Sequence, residues 1–183
     1  GNIRVGQSET FLTEACEYTN SFLSFFPTLG IILNMDADHL DFFKDIDDIR
    51  HSFRKFAELL PADGALIINA DTPKYEMVAE NLPCKVITYG LEHDAEYSAS
   101  DITYDEFGHP TFHVLHNGTD IGICSLKVPG IHNVSNALAS IAAGRLLGLD
   151  NEVIFAGLKD FGGTDRRFQY KGKVGEVTII DDY

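Results

Sequence analysis

Positive charge is scarce in this chain. Lys and Arg number 14 against 28 Asp and Glu, a formal net charge of -14 over 183 residues. That balance excludes a nucleic-acid or anionic-membrane surface as the main partner, because phosphate backbones need clustered Lys and Arg. Its ordinary consequence is solubility. A small phosphorylated ligand stays possible, since Mg²⁺ bridges carboxylates and phosphates. Long apolar runs are also missing, and none approaches the ~18 residues of a membrane span. The start, Gly1-Asn2-Ile3-Arg4, has no signal-peptide apolar core. Cysteine is limited to Cys16, Cys84 and Cys124, with no CxxC. An odd count without that spacing excludes a disulfide or zinc framework, and free thiols suit a reducing, cytoplasmic setting. Neither a Gly-rich dinucleotide-type turn nor a G-x-x-G-K-[ST] phosphate loop is present. We find no internal repeat and no low-complexity segment.

What remains is an ordinary globular composition, 44% apolar. A chain of this length fits one domain and buries roughly 70% of its unfolded surface. Both ends read as cut rather than natural: the start is abrupt and polar, and the stop at Tyr183 follows an apolar run.

The pattern predicts strands at 10–13 and 30–33, joined by a Phe-rich linker. A helix follows, with Ile46, Ile49, Phe53, Phe56, Ala57 and Leu60 at helical spacing. Asp45 is its predicted N-cap, Asp47 and Asp48 suit the positive end of its dipole, and Pro61 stops it. A strand at 65–69, a short helix at 72–81 and a strand at 85–89 come next. This β-α-β-α-β order predicts a parallel, doubly wound sheet. Strands at 97–103, 111–116 and 121–128 then predict a small antiparallel three-stranded sheet, with Asn117-Gly118 as a hairpin turn. Helices at 133–147 and 151–158 and a strand at 177–180 complete the chain. The expected fold class is therefore α/β: a mostly parallel doubly wound sheet with flanking helices plus a small antiparallel three-stranded sheet.

Two acidic segments follow predicted strands: Glu14-Ala15-Cys16-Glu17-Tyr18, and Asn34-Met35-Asp36-Ala37-Asp38-His39-Leu40-Asp41. Cation-binding side chains at two strand ends point to one site on the carboxyl edge of a parallel sheet, where open α/β folds bind ligands. His39 could equally cap its strand or bond Asp36. Asn133 and Asn136 share a helix face, and either could serve as an N-cap. His109, His113 and His116 have no acidic or cysteine partner at metal-ligand spacing and read as structural. Phe22, Phe25 and Phe26 read as core or interface contacts.

Taken in order, these two segments together with Gly130-Ile131-His132-Asn133-Val134-Ser135-Asn136-Ala137, Gly162-Gly163-Thr164-Asp165-Arg166-Arg167-Phe168 and Ile180-Asp181-Asp182-Tyr183 resemble the Mur ligases of peptidoglycan synthesis. The Glu14–Tyr18 segment and the pair Arg166-Arg167-Phe168 and Asp181-Asp182-Tyr183 resemble most the branch that joins L-alanine to UDP-N-acetylmuramate. Each motif alone is weak, whereas the ordered set is specific. The resemblance implies ATP-driven amide formation, with ATP and Mg²⁺ as cofactors and no nucleic acid or membrane as partner. It implies Glu14 and His39 as ligands of a Mg²⁺ at the reacting phosphate, Asn133 and Asn136 as adenine contacts, Arg167 as a phosphate contact, and Asp182 as a ribose contact. Glu14, His39 and Arg167 carry the catalytic expectation. Glu17 and Asp38 are expected to support the cation from behind. Family members have three domains. By that comparison residues 1–163 are a central ATP-binding domain without its phosphate-loop segment, and 164–183 are the junction and first strands of a truncated third domain. Such a fragment is expected to be inactive alone. The position of the carbamylated lysine used by some members falls near Arg54, so that role is not expected here. Two other readings stand beside this one: another Mur or folylpolyglutamate-type ligase, or a non-catalytic acidic α/β interaction module.

Overall fold

The computed structural model describes residues 3–183. A 3₁₀ segment, Tyr18–Ser24, precedes β1 (Leu29–Ile32), α1 (Ile46–Glu58), β2 (Ala65–Asn69), α2 (Glu76–Ala79) and β3 (Lys85–Tyr89). Three longer strands follow, β4 (Tyr97–Tyr104), β5 (Pro110–His116) and β6 (Thr119–Ser125). The helices α3 (Ile131–Leu146) and α4 (Asn151–Asp160) lead to β7 (Gln169–Val174) and β8 (Val177–Asp181).

β1, β2 and β3 pair in parallel, in sequence order. Their short apolar runs are buried on both faces, as a sheet sandwiched by helices requires. In β2, Leu66 and Ile68 face α1, packing with Phe56, Leu60 and Phe22, while Ile67 faces α3, packing with Leu138 and Ile141. This alternation follows from the two-residue period of a strand. The two cores lie on opposite sides of one sheet, which is the doubly wound arrangement read from the sequence. At the start of α1, Asp45 accepts the Asp48 amide at 2.9 Å, so the capping expectation holds. Asn117 and Gly118 both have positive φ, 49° and 74°, the geometry of a two-residue hairpin turn.

Four expectations change. The antiparallel strands β4, β5 and β6 do not stand apart but continue the main sheet, giving the order β1-β2-β3-β4-β5-β6. The join is one parallel bridge between Tyr89 and Tyr97, reinforced by the Gly90 amide donating to the Tyr97 carbonyl at 3.0 Å. Both tyrosines are buried, so β3 does not present an open edge there. The separate small sheet has two strands, β7 and β8. β7 was not foreseen because its Lys171, Gly172 and Lys173 break any apolar alternation. No strand forms at 10–13: Phe11 and Leu12 are 85% and 87% exposed, and a lone four-residue run has no ladder to join. The helix expected at 72–81 shrinks to Glu76–Ala79, because Lys74 sits at φ 61°, outside the helical region.

Candidate functional site

The parallel strands all end on one edge, and the chain beyond β1 is built to expose polar side chains there. Met35 and Phe43 are buried, at 4% and 3% exposure, and pin the loop at both ends. Asp36, Ala37 and Asp38 between them are exposed and His39 is half-buried. The loop turns at His39, whose φ is 54°. Its carbonyl accepts the amides of Phe42 and Phe43, both at 2.9 Å, and its own amide donates to Asp38 Oδ1 at 2.7 Å. The sequence alternative in which His39 bonds Asp36 is not realised; Asp36 Oδ1 accepts the Ala37 amide instead.

The 3₁₀ segment brings the other acidic motif to the same place. Phe22 is its anchor, buried and stacked on Phe56 at 4.9 Å between centroids, with Phe53 edge-on at 5.3 Å. Burying such a ring contributes roughly 2 kcal/mol. That anchorage lays Glu17 and Tyr18 against the His39 loop. Glu17 Oε1 lies 3.5 Å from His39 Nε2. The Tyr18 ring packs on the imidazole at 4.7 Å, and its hydroxyl donates to Asp41 Oδ2 at 2.7 Å. The Asp41 carboxylate, through that bond and its charge, pushes the Tyr18 phenol above its ordinary range. Two motifs far apart in sequence thus converge at the carboxyl edge. The carboxylate that meets His39 is Glu17. Glu14, three residues earlier, is exposed, and only its carbonyl is engaged, accepting the Thr13 hydroxyl at 3.2 Å.

One imidazole and neighbouring carboxylates are a partial shell for a hard divalent cation. Mg²⁺ takes one or two protein ligands and fills the rest with water and phosphate oxygens. Among the described residues no group of three or more His, Cys, Asp and Glu side chains is poised to hold a metal by itself. An imidazole beside a carboxylate suits an ion that completes its shell with water and phosphate oxygens.

β4 runs parallel to β3, and β6 runs the same way as β4. α3 therefore begins in the direction toward which the parallel strands end. Gly130, at φ 97°, is its N-cap. Asn133 is not the cap: it lies inside the first turn, and its amide Nδ2 donates to the Pro129 carbonyl at 2.8 Å. Asn136 stands one turn on, exposed, 3.5 Å from Asn133 Oδ1. The two asparagines do share one face.

Arg167 and Asp182 meet at the open end of the β7–β8 hairpin. Arg167 Nη1 donates to the Tyr183 carbonyl at 2.9 Å, and Asp182 Oδ1 accepts the Phe168 amide at 3.2 Å. Arg166 lays its guanidinium over the Tyr183 ring at 4.3 Å. The candidates other than Glu14 thus fall into three groups, around His39, Asn133 and Arg167.

Other residues settle as structure. Arg54, at the carbamyl-lysine position, pairs with Glu58 at 2.8 Å and donates to the Val78 and Glu80 carbonyls, tying α1 to α2. Each histidine set aside earlier does have an acidic partner: Asp105 for His109 at 3.0 Å, Asp120 for His113 at 2.7 Å, Glu96 for His116 at 3.1 Å. Strand register brings Asp120 and Glu96 beside His113 and His116, whereas Asp105 stands only four residues before His109 in the same turn. Phe22 is core, whereas Phe26 is 93% exposed. A concavity of about 620 Å³ at the α3–α4 turn, lined by Arg145 and Asn151 among others, holds none of the candidates. It lies away from the chemistry, and we give it no role. Sequence reading missed the Tyr18–Asp41 bond and the Asp71 cradle after β2, where Asp71 accepts the amides of Leu91, Glu92 and His93.

Known proteins resemble this chain in sequence and in fold. The UDP-N-acetylmuramate–L-alanine ligase of Agathobacter rectalis is 57% identical over 183 residues, all of this chain and 40% of that protein. The chain thus spans under half the length of the curated relatives it matches. The crystal structure of UDP-N-acetylmuramate-alanine ligase from Thermotoga maritima superposes with a TM-score of 0.75 at 29% identity, covering 90% of this chain and 36% of that one. The MurF ligase from Thermotoga maritima in complex with ADP shares the fold, with a TM-score of 0.68 at 21% identity over 85% of this chain and 35% of that one. Residues 3–144 match the Mur ligase middle domain, and the chain belongs to that family.

Proposed function

We propose that the chain is the ATP-handling part of an ATP-dependent amide ligase of peptidoglycan precursor synthesis, joining L-alanine to UDP-N-acetylmuramate in the cytoplasm. In this reading residues 1–163 are the central domain without its phosphate-loop segment, and 164–183 lead into a third domain. The observation that carries it is the convergence of Glu17 and Tyr18 on His39 at the carboxyl ends of parallel strands. Metal-binding side chains at that edge suit a nucleotide-triphosphate reaction.

The chemistry has two steps. A muramate carboxylate oxygen attacks the γ-phosphorus, and the bond to the ADP oxygen breaks. The alanine amine then attacks the carbonyl of the acyl phosphate, phosphate leaves with its electron pair, and the nitrogen loses a proton. The protein supplies position and charge compensation rather than covalent chemistry. Mg²⁺ when bound offsets the repulsion between the carboxylate and the triphosphate. His39 and Glu14 would hold that ion, with Glu17, 3.5 Å from the imidazole, supporting it. Asn133 and Asn136 would offer amide donors and acceptors to adenine. Arg167 would fork onto phosphate oxygens, and Asp182 would accept from the ribose.

The test is ligation by the complete reading frame with UDP-N-acetylmuramate, ATP, Mg²⁺ and a panel of amino acids. We expect L-alanine-dependent phosphate release, loss of at least about tenfold in turnover for His39→Ala, and no turnover by residues 1–183 alone. Wild-type turnover in His39→Ala, or preference for another amino acid, overturns the assignment.

A further inference from the structure

We propose that Tyr18 and Asp41 form a latch that positions His39, so that the imidazole meets an arriving cation already oriented. The inference rests on the ligase reading above for its functional consequence, but the latch itself is a structural claim.

His39 sits at a left-handed turn, φ 54°, on a loop whose tip is exposed. Two amides fix its carbonyl, and they leave the ring free to rotate about its own side-chain bonds. Something else must hold the ring. On one side Tyr18 packs at 4.7 Å with an interplanar angle of 33°. Phe42 stands edge-on to Tyr18 at 6.0 Å, so the tyrosine lies among aromatic partners. The Tyr18 hydroxyl is tied at 2.7 Å to Asp41, two residues beyond His39. The bond therefore closes a ring: Tyr18 packs on His39, His39 is joined through Leu40 to Asp41, and Asp41 returns to Tyr18. Glu17, adjacent to Tyr18, contacts the imidazole nitrogen at 3.5 Å from the same strand of chain. Behind Tyr18, Phe22 is anchored in the core against Phe56. Rigidity is thus passed from the core to the imidazole in two steps. Partners that orient a ligating histidine are known to change metal affinity or activity by about 10–100-fold when removed. Tyr18 and Asp41 are positioning residues here; they need not touch the ion.

The experiment uses the complete protein labelled at histidine, with His39 identified by the resonance lost in His39→Gln. The stacked Tyr18 ring shifts the His39 ring protons away from an exposed histidine's position. We expect that displacement to fall by at least half in Tyr18→Phe and in Asp41→Ala. It should persist in Asp41→Asn, whose amide oxygen still accepts the hydroxyl. In the same variants the Mg²⁺ concentration for half-maximal ligation should rise about tenfold for Tyr18→Phe and Asp41→Ala and stay within about twofold for Asp41→Asn. Unchanged shifts in Tyr18→Phe and Asp41→Ala overturn the latch. So does an Asp41→Asn variant that behaves like Asp41→Ala, or an unchanged Mg²⁺ requirement in both disrupting variants. A wild-type protein that fails to ligate sinks the ligase reading instead, while the shift measurement still decides the latch.

Discussion

The space that Gly90 leaves empty is the space beside the Asp71 carboxylate. A Cβ built on Gly90 would lie 2.9 Å from Asp71 Oδ1. The carboxylate cannot simply retreat, because Leu91, Glu92 and His93 each donate an amide to it, at 2.6, 3.1 and 2.9 Å. The His93 ring adds a contact at 3.0 Å. This cradle ties the loop after β2 to the loop after β3 on the same edge as His39. Overpacking costs about 1–3 kcal/mol, and the loss of backbone freedom in the unfolded chain returns about 0.4–1 kcal/mol. Gly90→Ala should therefore lower Tm by roughly 2–6 °C. Asp71→Ala leaves amides without their acceptor and should cost about 1–3 kcal/mol. Thermal unfolding of the double variant is the discriminating measurement: with Asp71 already truncated, Gly90→Ala should cost almost nothing more. Additive losses would show that the two residues are not coupled.

Acid stability follows from the same carboxylate. Burial pushes the Asp71 carboxyl up, but the amides of Leu91, Glu92 and His93 together with the His93 ring outweigh it and hold the group below its ordinary 3.8. Asp105 and Asp120 are lowered too, first by the His109 and Gly122 amides respectively. A folded-state value below the unfolded one gives stability that is complete above the unfolded value and lost as pH falls through the folded one. The chain should therefore hold its stability down to about pH 4 and lose it below. Asp71→Asn should flatten that acid limb in denaturant melts taken between pH 5 and pH 3. A limb of unchanged steepness would remove Asp71 from the acid response.

Thiol reactivity should divide the three cysteines. Cys16 is exposed, whereas Cys84 and Cys124 are buried. Burial pushes the Cys124 thiol up to about 11 and raises that of Cys84 as well. The thiolate is the reactive form, so both buried groups are doubly protected. Alkylation of the native protein near pH 8 should modify Cys16 quickly and the other two only on unfolding. Peptide mapping by mass spectrometry reads this directly. Fast native labelling at Cys124 would contradict its burial in the core beneath α4, the helix that packs on β6.

Legibility in the sequence tracked the range of the interactions. α1 was readable because its signals are local: apolar spacing, the Asp45 cap and Pro61 all lie within one short window. β2 was readable because a strand buried on both faces is a short apolar run, and β3 because Val86, Ile87 and Tyr89 give a strand-like stretch between turn residues. The fusion of β4 to β3 was not, since it hangs on one bridge, Tyr89 to Tyr97, that no local pattern announces. The same holds at the site. His39 and the acidic motif of residues 14–17 were visible as types of side chain, but their pairing is a matter of where the chain folds back. Sequence reading put weight on Glu14, whereas the 3₁₀ turn after Cys16 rotates Glu17 and Tyr18 toward the histidine. The partners of His113 and His116 were hidden for the same reason, because strand register brings Asp120 and Glu96 beside them.

The two asparagines of α3 should respond differently to the same change. Asn133 is half-buried and its side chain holds the Pro129 carbonyl at 2.8 Å, stabilising the Pro129-Gly130 entry to the helix. Asn136 is exposed, and its one side-chain contact is a long 3.5 Å approach to Asn133. Asn133→Ala should therefore cost about 1 kcal/mol of stability as well as weakening nucleotide binding. Asn136→Ala should leave Tm unchanged and, in the complete protein, raise KM for ATP by about tenfold with little change in kcat, the mark of a contact made equally in ground and transition states. Steady-state kinetics alongside thermal melts separates the cases. If Asn136→Ala leaves KM for ATP at the wild-type value, the helix face does not read the base, and α3 serves only to cover the sheet.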